Sequence, residues 1–577
     1  MNKTFCNPLN LSYRYQHLRL FGKWSFFREG ADPTLIFFKD KYYLFVSMSV
    51  GFWYSDDLVE WRFHENKNLL IYDYAPDARQ IGDYLYFCAS RPGENGPILR
   101  TMDPLSDKFE QVSSTFEFWD PNILSDDDGR VYFYWGCSPK TPIYAVELDP
   151  QTMTPITEKT ALLKADPSAH GFERQGENCD PKTKKGLVAM LAARTPYTEG
   201  PFMTKYNGKY YLQYATPGTE YNTYADGVYV SDKPLGPFEF ASSNPFSSKP
   251  GGFINAAGHG STIQDKYGNW WHTSSMRISV NHMFERRVGL FPAGFDEDGV
   301  MFCNQNFADY PVSIPDGMFD PWAIQPQWML LSYKKKIKTS SSQKGHGPEL
   351  AVNEDVRTWW SAATNKAGEY IELDLGESHA VHSIQVNIAD GNLKVSKHRK
   401  EEIVGHPLMK RFIETNKMQS RYTLEGSRDG KEWFVLEDKR NAETDLAHDF
   451  FIYPDGKQLR YIKVTGYEFP YGQSFKVSGL RVFGKGSGSK PAQTEVTARR
   501  TGDLNALIRW NKVENAQGYN IRYGVQPDKL YLSWLVYDKT ELDLSTLNKG
   551  SKYFVCVDSF NENGITQGKT IEVGNPL

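Results

Sequence analysis

The chain has 577 residues, of which 40% are hydrophobic and 24% charged, with a formal net charge of -4. That composition excludes an intrinsically disordered chain, and no stretch approaches the roughly 18 apolar residues that a membrane span requires. Mixed charges near balance exclude electrostatic capture of nucleic acid as the main activity. The unusual figure is 14% aromatic residues, with 34 Tyr, 35 Phe and 14 Trp. Half-buried strands favour these side chains and apolar ring faces suit sugar surfaces, so the expectation is β-structure and a carbohydrate ligand.

At the N-terminus, Met1 to Asn10 lacks a basic segment followed by an apolar run, the pattern of a signal peptide. The expected location is periplasmic or extracellular, with any leader already removed. The cysteines Cys6, Cys88, Cys137, Cys179, Cys303 and Cys556 form no C-x-x-C pair and sit in no histidine cluster, so neither a zinc site nor a disulfide scaffold is expected.

From Asp32 to about Pro315 one theme recurs: a polar residue, an apolar run, a polar turn, then alternating aromatics. It appears at Phe37 to Ser47, Gln80 to Ala89, Ile123 to Gly136, Met203 to Ala215 and Thr262 to Ser274. Each reads as a β-hairpin. The polar residues ahead of them are Asp32, Asp77, Asp120, Glu199 and His259, spaced 45, 43, 79 and 60 residues apart. Five hairpin units at such a repeat predict a five-bladed β-propeller over residues 1–330, with insertions in the two longer intervals. Pro167 to Asp180 is one insertion and is expected to form a loop at the rim. Lys334 to Gln343 is basic and Ser-rich and reads as a linker or a solvated edge. Residues 345–485 and 491–577 are β-rich and predict two β-sandwiches, separated by the Gly/Ser stretch Lys485 to Lys490. The fold class is therefore all-β.

The innermost strands of a propeller begin around one axial funnel. Three of the five positions are carboxylates followed by Pro within two residues: Asp32-Pro33, Asp120-Pro121 and Glu199-Gly200-Pro201. Acids crowded around one cavity repel when ionised, so their pKa values split, as acid–base chemistry needs.

These residues resemble glycoside hydrolase family 43. The resemblance rests on Gly30-Ala31-Asp32-Pro33, Tyr74-Ala75-Pro76-Asp77, Trp119-Asp120-Pro121-Asn122-Ile123, Thr198-Glu199-Gly200-Pro201, Gly258-His259-Gly260-Ser261 and Glu285-Arg286, all in order over residues 5 to 320. It implies an inverting hydrolysis in which Asp32 is the general base, Glu199 the general acid and Asp120 the group that raises and orients that acid. It also implies that Arg286 lines the sugar site, although a strand salt bridge is an equal alternative. Asp77 either shapes the pocket or stabilises its blade. His259 matches a histidine near the axis where relatives hold a hydrated, structural calcium, held through waters if at all, because calcium prefers oxygen ligands. The chemistry itself needs no cofactor. Tyr74, Trp119, Tyr221 and Trp53 are candidates for stacking on sugar, and Thr216 to Asp226 for the pocket wall. The DVRTWWS segment at Asp355 to Ser361 and the stretch Gly368 to Gly376 resemble a discoidin-like (coagulation-factor type C) domain, with Trp359 and Trp360 read as core. Residues after Pro491 resemble a fibronectin type III module.

The resulting expectation is an exo-acting glycosidase that takes terminal α-L-arabinofuranosyl or β-D-xylosyl residues from plant oligosaccharides or polysaccharides. The insertions, closing one side of the funnel, favour exo action. A galactose-releasing enzyme of the same family and a non-catalytic sugar-binding propeller are the alternatives. Oligomeric state is left open.

Overall fold

The computed structural model describes residues 3–575, apart from 21, 67, 70–73, 92, 175–194, 396–403 and 407–408. Described secondary structure is β-strand with a few short 3-10 turns, and no helix is long and apolar enough to cross a membrane. All five hairpins form where the sequence pattern predicts them, and each opens a blade. Blade one comprises Thr34–Phe38, Lys41–Phe45, Gly51–Ser55 and Arg62–Glu65; blade two Asp77–Ile81, Tyr84–Cys88, Ile98–Thr101 and Glu110–Ser113. Blade three is Asn122–Ser125, Val131–Trp135, Ile143–Leu148 and Thr160–Leu163. Blade four is Thr198–Tyr206, Lys209–Thr216, Ala225–Ser231 and Glu239–Phe240, and blade five Asn255–Gln264, Trp270–Arg277, Arg286–Phe295 and Met301–Cys303. The turn at Asn207-Gly208 shows why these hairpins close tightly: both residues have positive φ (49° and 76°), the geometry that matches strand twist in a two-residue loop.

Each innermost strand contacts the next, and the fifth returns to the first, so the ring is closed. A separate apolar cluster fills each gap between neighbouring blades. Leu35 and Trp53 meet Trp271 and Leu290 between blades one and five; Phe45 meets Phe87 between one and two. Tyr86 meets Phe133, Tyr134 meets Tyr210, and Tyr211 meets Phe291 in the remaining three gaps. The second strand of each blade is thus covered on both faces, which is why the aromatic runs lie there. Each such side chain contributes about 1.5–3 kcal/mol on burial. One polar side chain also bridges each gap: Thr34 to the Pro76 carbonyl, Asp77 to the Ile123 N–H, and Asn122 to the Met203 N–H. Asp226 accepts from the His259 and Gly260 N–H groups, and Ser261 from the Leu35 N–H, completing the circuit. Lys3–Phe5 pairs with Val312–Ile314 beside this ring.

The second unit centres on long strands Glu369–Ile388, His448–Glu468 and Lys476–Lys485 around a core that includes Trp360, Ile371 and Leu424. Trp359 and Trp360 are buried, as read from the sequence. Of the two readings of Lys334 to Gln343, the solvated edge is the one the structure takes: Lys336–Thr339 is a strand paired with Ile371–Asp374, because its alternating Lys and apolar or Thr residues suit a sheet edge. The third unit packs the sheet of Val496–Gly502, Asn505–Trp510 and Glu541–Leu544 against the one built on Gly518–Gly524 and Phe554–Asn561. The Gly/Ser stretch between the two units is tied down, with the Gly488 N–H donating to Asn563 at 2.8 Å.

All three units meet in one cluster containing Cys6, Tyr310, Phe483 and Phe560. Beside it the buried Arg481 donates to both Glu354 carboxylate oxygens at 3.0 and 2.9 Å and to the Asp309 carbonyl at 2.6 Å. Arg28 of the propeller likewise pairs with Asp390 and Asp445 of the second unit. Removing one partner of a buried pair leaves an uncompensated charge. Arg481→Met should therefore cost about 3–5 kcal/mol in a denaturant titration, and a loss below about 1 kcal/mol would show that the fold does not need this pair.

Candidate active site

The geometry begins with a backbone device. Asp32, Ala75, Asp120, Gly200 and His259 all have positive φ, between 46° and 57°. Four of them precede Pro33, Pro76, Pro121 and Pro201. A left-handed residue ahead of proline is disfavoured and costs about 1–3 kcal/mol where it is not glycine. A left-handed residue in every blade, ahead of proline in four of them, turns the chain sharply at each innermost strand, so the heads of all five strands face one space. At Gly200 a Cβ would lie 2.7 Å from the His259 ring, so glycine lets that ring pack on the backbone.

The space is a cavity of about 470 Å³, lined by Asp32, Tyr74, Trp119, Asp120, Glu199, His259 and Arg286 among others. Seven of the residues singled out in the sequence are thus brought together. Asp32 accepts from Ser47 at 2.5 Å and from Arg286 at 2.9 Å, with its own N–H on Ser275. Asp120 accepts from the Gly200 N–H at 3.2 Å. Glu199 accepts from the Tyr224 hydroxyl at 2.5 Å and the Cys137 thiol at 3.4 Å. His259 Nδ1 stands 3.4 Å from Asp32 and 3.8 Å from Asp120.

Burial opposes charge on every carboxylate here, and partners decide which stays ionised. For Asp32, Arg286, His259 and two serine hydroxyls outweigh burial and hold it below the ordinary 3.8. Glu199 is pushed up to about 7 by burial and by the anion of Asp120. Asp120 is raised by burial, with the charge of Asp32 adding to the effect. Burial disfavours the cationic form of His259, but Asp32, Asp120 and Glu199 together raise it above 6.5. The cavity therefore holds an ionised carboxylate and a carboxylic acid at near-neutral pH.

Three expected residues lie elsewhere. Asp77 is 1% exposed and faces blade three, accepting from Asn122 at 3.0 Å and the Ile123 N–H at 2.7 Å. The reason is register: the blade-two equivalent of Asp32 is Ala75, and Asp77 sits two residues further into the strand. Tyr221 is not among the lining residues, although Gly218, Thr219 and Glu220 beside it are. Trp53 is buried in the cluster between blades one and five. The part of the Pro167 to Asp180 insertion after residue 174 lies outside the described residues; Gly171–Glu173 before it is a 3-10 turn whose Gly171 N–H docks on the Leu547 carbonyl.

His259 Nδ1 lies beside Asp32 and Asp120 but belongs to no group of close ligand atoms among the described residues, so nothing there gathers the several oxygens that calcium takes. Asp120, Cys137 and Glu199 do offer ligand atoms within 4.8 Å of one another. In the metal-free site burial holds the Cys137 thiol well above its ordinary range, and it donates to Glu199.

Tyr224, Cys137, Ser47 and Thr219 were not singled out in the sequence. Tyr224 and Thr219 fall within the segment read as pocket wall. Ser47 and Cys137 carry no motif, and only folding brings them to the acids.

A family model described as glycosyl hydrolases family 43 matches residues 28–301. A β-xylosidase of Xylanibacter ruminicola is 28% identical over 196 residues, covering 32% of this chain and 55% of that protein. The non-reducing end α-L-arabinofuranosidase BoGH43B of Bacteroides ovatus is 26% identical over 298 residues, covering 47% and 51%. Xylosidase/arabinosidase 43A of Humicola insolens is 30% identical over 258 residues, covering 39% and 73%. The chain spans about half the length of the first two.

Asp77→Ala strands a buried amide and a buried backbone N–H, at about 1–3 kcal/mol each. The variant should lose about 2–5 kcal/mol in a urea titration while sugar binding by the folded protein, read by calorimetry, stays within about twofold of the parent. Lost binding at full stability would instead return Asp77 to the sugar site.

Proposed function

Because the chain belongs to glycoside hydrolase family 43, we propose that it is an inverting exo-glycosidase releasing terminal α-L-arabinofuranosyl or β-D-xylosyl residues from plant oligosaccharides or polysaccharides. The observation that carries this reading is the split between two acids facing one cavity: Glu199 raised to about 7 and Asp32 held below 3.8. Support for the substrate class comes from relatives named β-xylosidase, α-L-arabinofuranosidase and xylosidase/arabinosidase. A 470 Å³ cavity is in the size range of a ligand pocket rather than an open polymer groove, which supports action at chain ends.

The reaction follows from the two protonation states. Ionised Asp32 takes a proton from water, whose oxygen attacks the anomeric carbon from the face opposite the leaving group. Protonated Glu199 delivers its proton to the glycosidic oxygen as that bond breaks. The products are the free sugar with inverted configuration and the shortened alcohol. Asp32 ends protonated and Glu199 ionised, and exchange with solvent resets both. Inversion needs the two carboxyls about 6.5–9.5 Å apart to admit the water. Asp120 keeps Glu199 protonated, because a nearby anion disfavours a second one. Arg286 holds Asp32 ionised and, with Trp119 and Tyr74, faces the sugar.

The second unit is read as discoidin-like and the third as fibronectin type III-like. The buried Trp360 at the second unit's core supports the first reading, and the two packed sheets of the third unit support the second.

Nitrophenyl α-L-arabinofuranoside, β-D-xyloside and β-D-galactoside, followed by proton NMR of the first-formed anomer, test the proposal. One of the first two should be hydrolysed with inversion, whereas retention of configuration would overturn the mechanism. Glu199→Gln and Asp32→Asn should each lower kcat by at least about 100-fold with the protein still folded. Activity of the parent should fall as pH rises through about 7, where Glu199 loses its proton. Removing the neighbouring anion favours ionised Glu199, so Asp120→Asn should move that alkaline limb down by about one pH unit. An unmoved limb would detach Asp120 from that role.

A further inference from the structure

The cavity is lined by propeller residues, but its wall is braced from outside the propeller. Ahead of blade one, Arg14–Leu20 and Lys23–Glu29 form a hairpin, and Met409–Ile413 of the second unit adds to its edge as an antiparallel strand, with Leu18 opposite Arg411. Arg411 is 1% exposed. Its guanidinium donates to the Tyr74 hydroxyl, to Glu29 Oε2 and to Gln16 Oε1, the last at 3.3 Å. It lies 4.9 Å from the Tyr74 ring centroid and 5.9 Å from that of Phe284, and both rings line the cavity. Glu29 Oε1 accepts from Arg286 at 2.7 Å, and the other arm of Arg286 donates to Asp32 at 2.9 Å.

Four buried charges therefore alternate in sign along one hydrogen-bonded line: Arg411, Glu29, Arg286, Asp32. All four are at most 5% exposed. We propose that Arg411, supplied by the second unit, is a positioning residue for the general base: by engaging Glu29 it leaves Arg286 to Asp32, and by holding Tyr74 it fixes one wall of the sugar site. The proposal rests on the glycosidase reading above, and it makes the second unit a part of the active site rather than an appendage.

The electrostatic reason is competition for Arg286. Two carboxylates flank that guanidinium, and in a water-poor interior each attracts it strongly. Arg411 balances the charge of Glu29 from the far side. Without it, Glu29 draws Arg286 away, and Asp32 keeps His259 as its neighbouring cation. The other groups facing this line are Asp120, Glu199 and Tyr224 on the side of Asp32, and Tyr224 and His282 near Arg286. A less supported Asp32 ionises at higher pH, so the acid limb of kcat/KM moves up.

The test uses the full chain and the glycoside the parent hydrolyses. Arg411→Met should lower kcat/KM about tenfold or more and raise the acid limb by about one pH unit, with the alkaline limb unmoved, and Arg411→Lys should recover part of both effects. A folded Arg411→Met protein with the parent's rate and acid limb overturns the proposal. Should Arg411→Met fail to fold, the double variant Glu29→Gln/Arg411→Met removes both charges of the pair, which a buried site tolerates better than one alone. Arg286 then faces Asp32 undivided, and the acid limb should lie at or below the parent's; an upward shift overturns the proposal. If the parent hydrolyses none of the three glycosides, the glycosidase reading fails on its own. A crystal structure of Arg411→Met, or of the double variant where the single one does not fold, then decides the present point. Arg286 off Asp32 in the single variant, or seated on Asp32 and released by Glu29 in the double one, supports it; any other placement overturns it.

Discussion

Three carboxylates packed into one buried well cannot all be ionised, and the protein resolves the conflict by giving its cations to Asp32. Arg286 and His259 both face that residue, whereas Glu199 has Asp120 for a neighbour and a tyrosine hydroxyl and a thiol as donors. The same crowding thus produces a base and an acid from similar side chains. Nothing in the chemistry of Asp or Glu alone distinguishes them; the placement of positive charge does.

That placement depends on rigid support. The circuit of polar side chains between blades and the apolar cluster in each gap hold the strand heads in place. The left-handed residue before each proline is strained, and it persists because the surrounding strands over-determine it. The second unit then adds a strand beside the well and a guanidinium behind it. The geometry of the well, strand packing and the contact between units are therefore parts of one mechanical system, joined through buried contacts such as Arg28 with Asp390 and Asp445, and Arg481 with the Asp309 carbonyl.

Where reading the sequence went astray, the error was one of register. Asp77 looked equivalent to Asp32 because both are acidic and close to proline, but Asp32 precedes its proline and Asp77 follows one. A two-residue difference moves a side chain from the head of a strand to the seam between blades. The stretch from Lys334 to Gln343 left two readings open, because basic, Ser-rich composition suits a linker and a solvated edge alike. Four of its residues complete a sheet edge, where exposed lysines are welcome on the solvent side.

The sequence by itself determined the all-β class, the five hairpins, the order of the acids and the aromatic supply for the gaps between blades. These follow from local rules: alternation, turn-forming residues and spacing along one chain. Only the tertiary structure decided which acid keeps its proton, that Tyr224 and Cys137 serve Glu199, and that residue 411 stands behind residue 29. Charge balance in a low-dielectric interior is set by distances between segments hundreds of residues apart, and no local pattern encodes those distances.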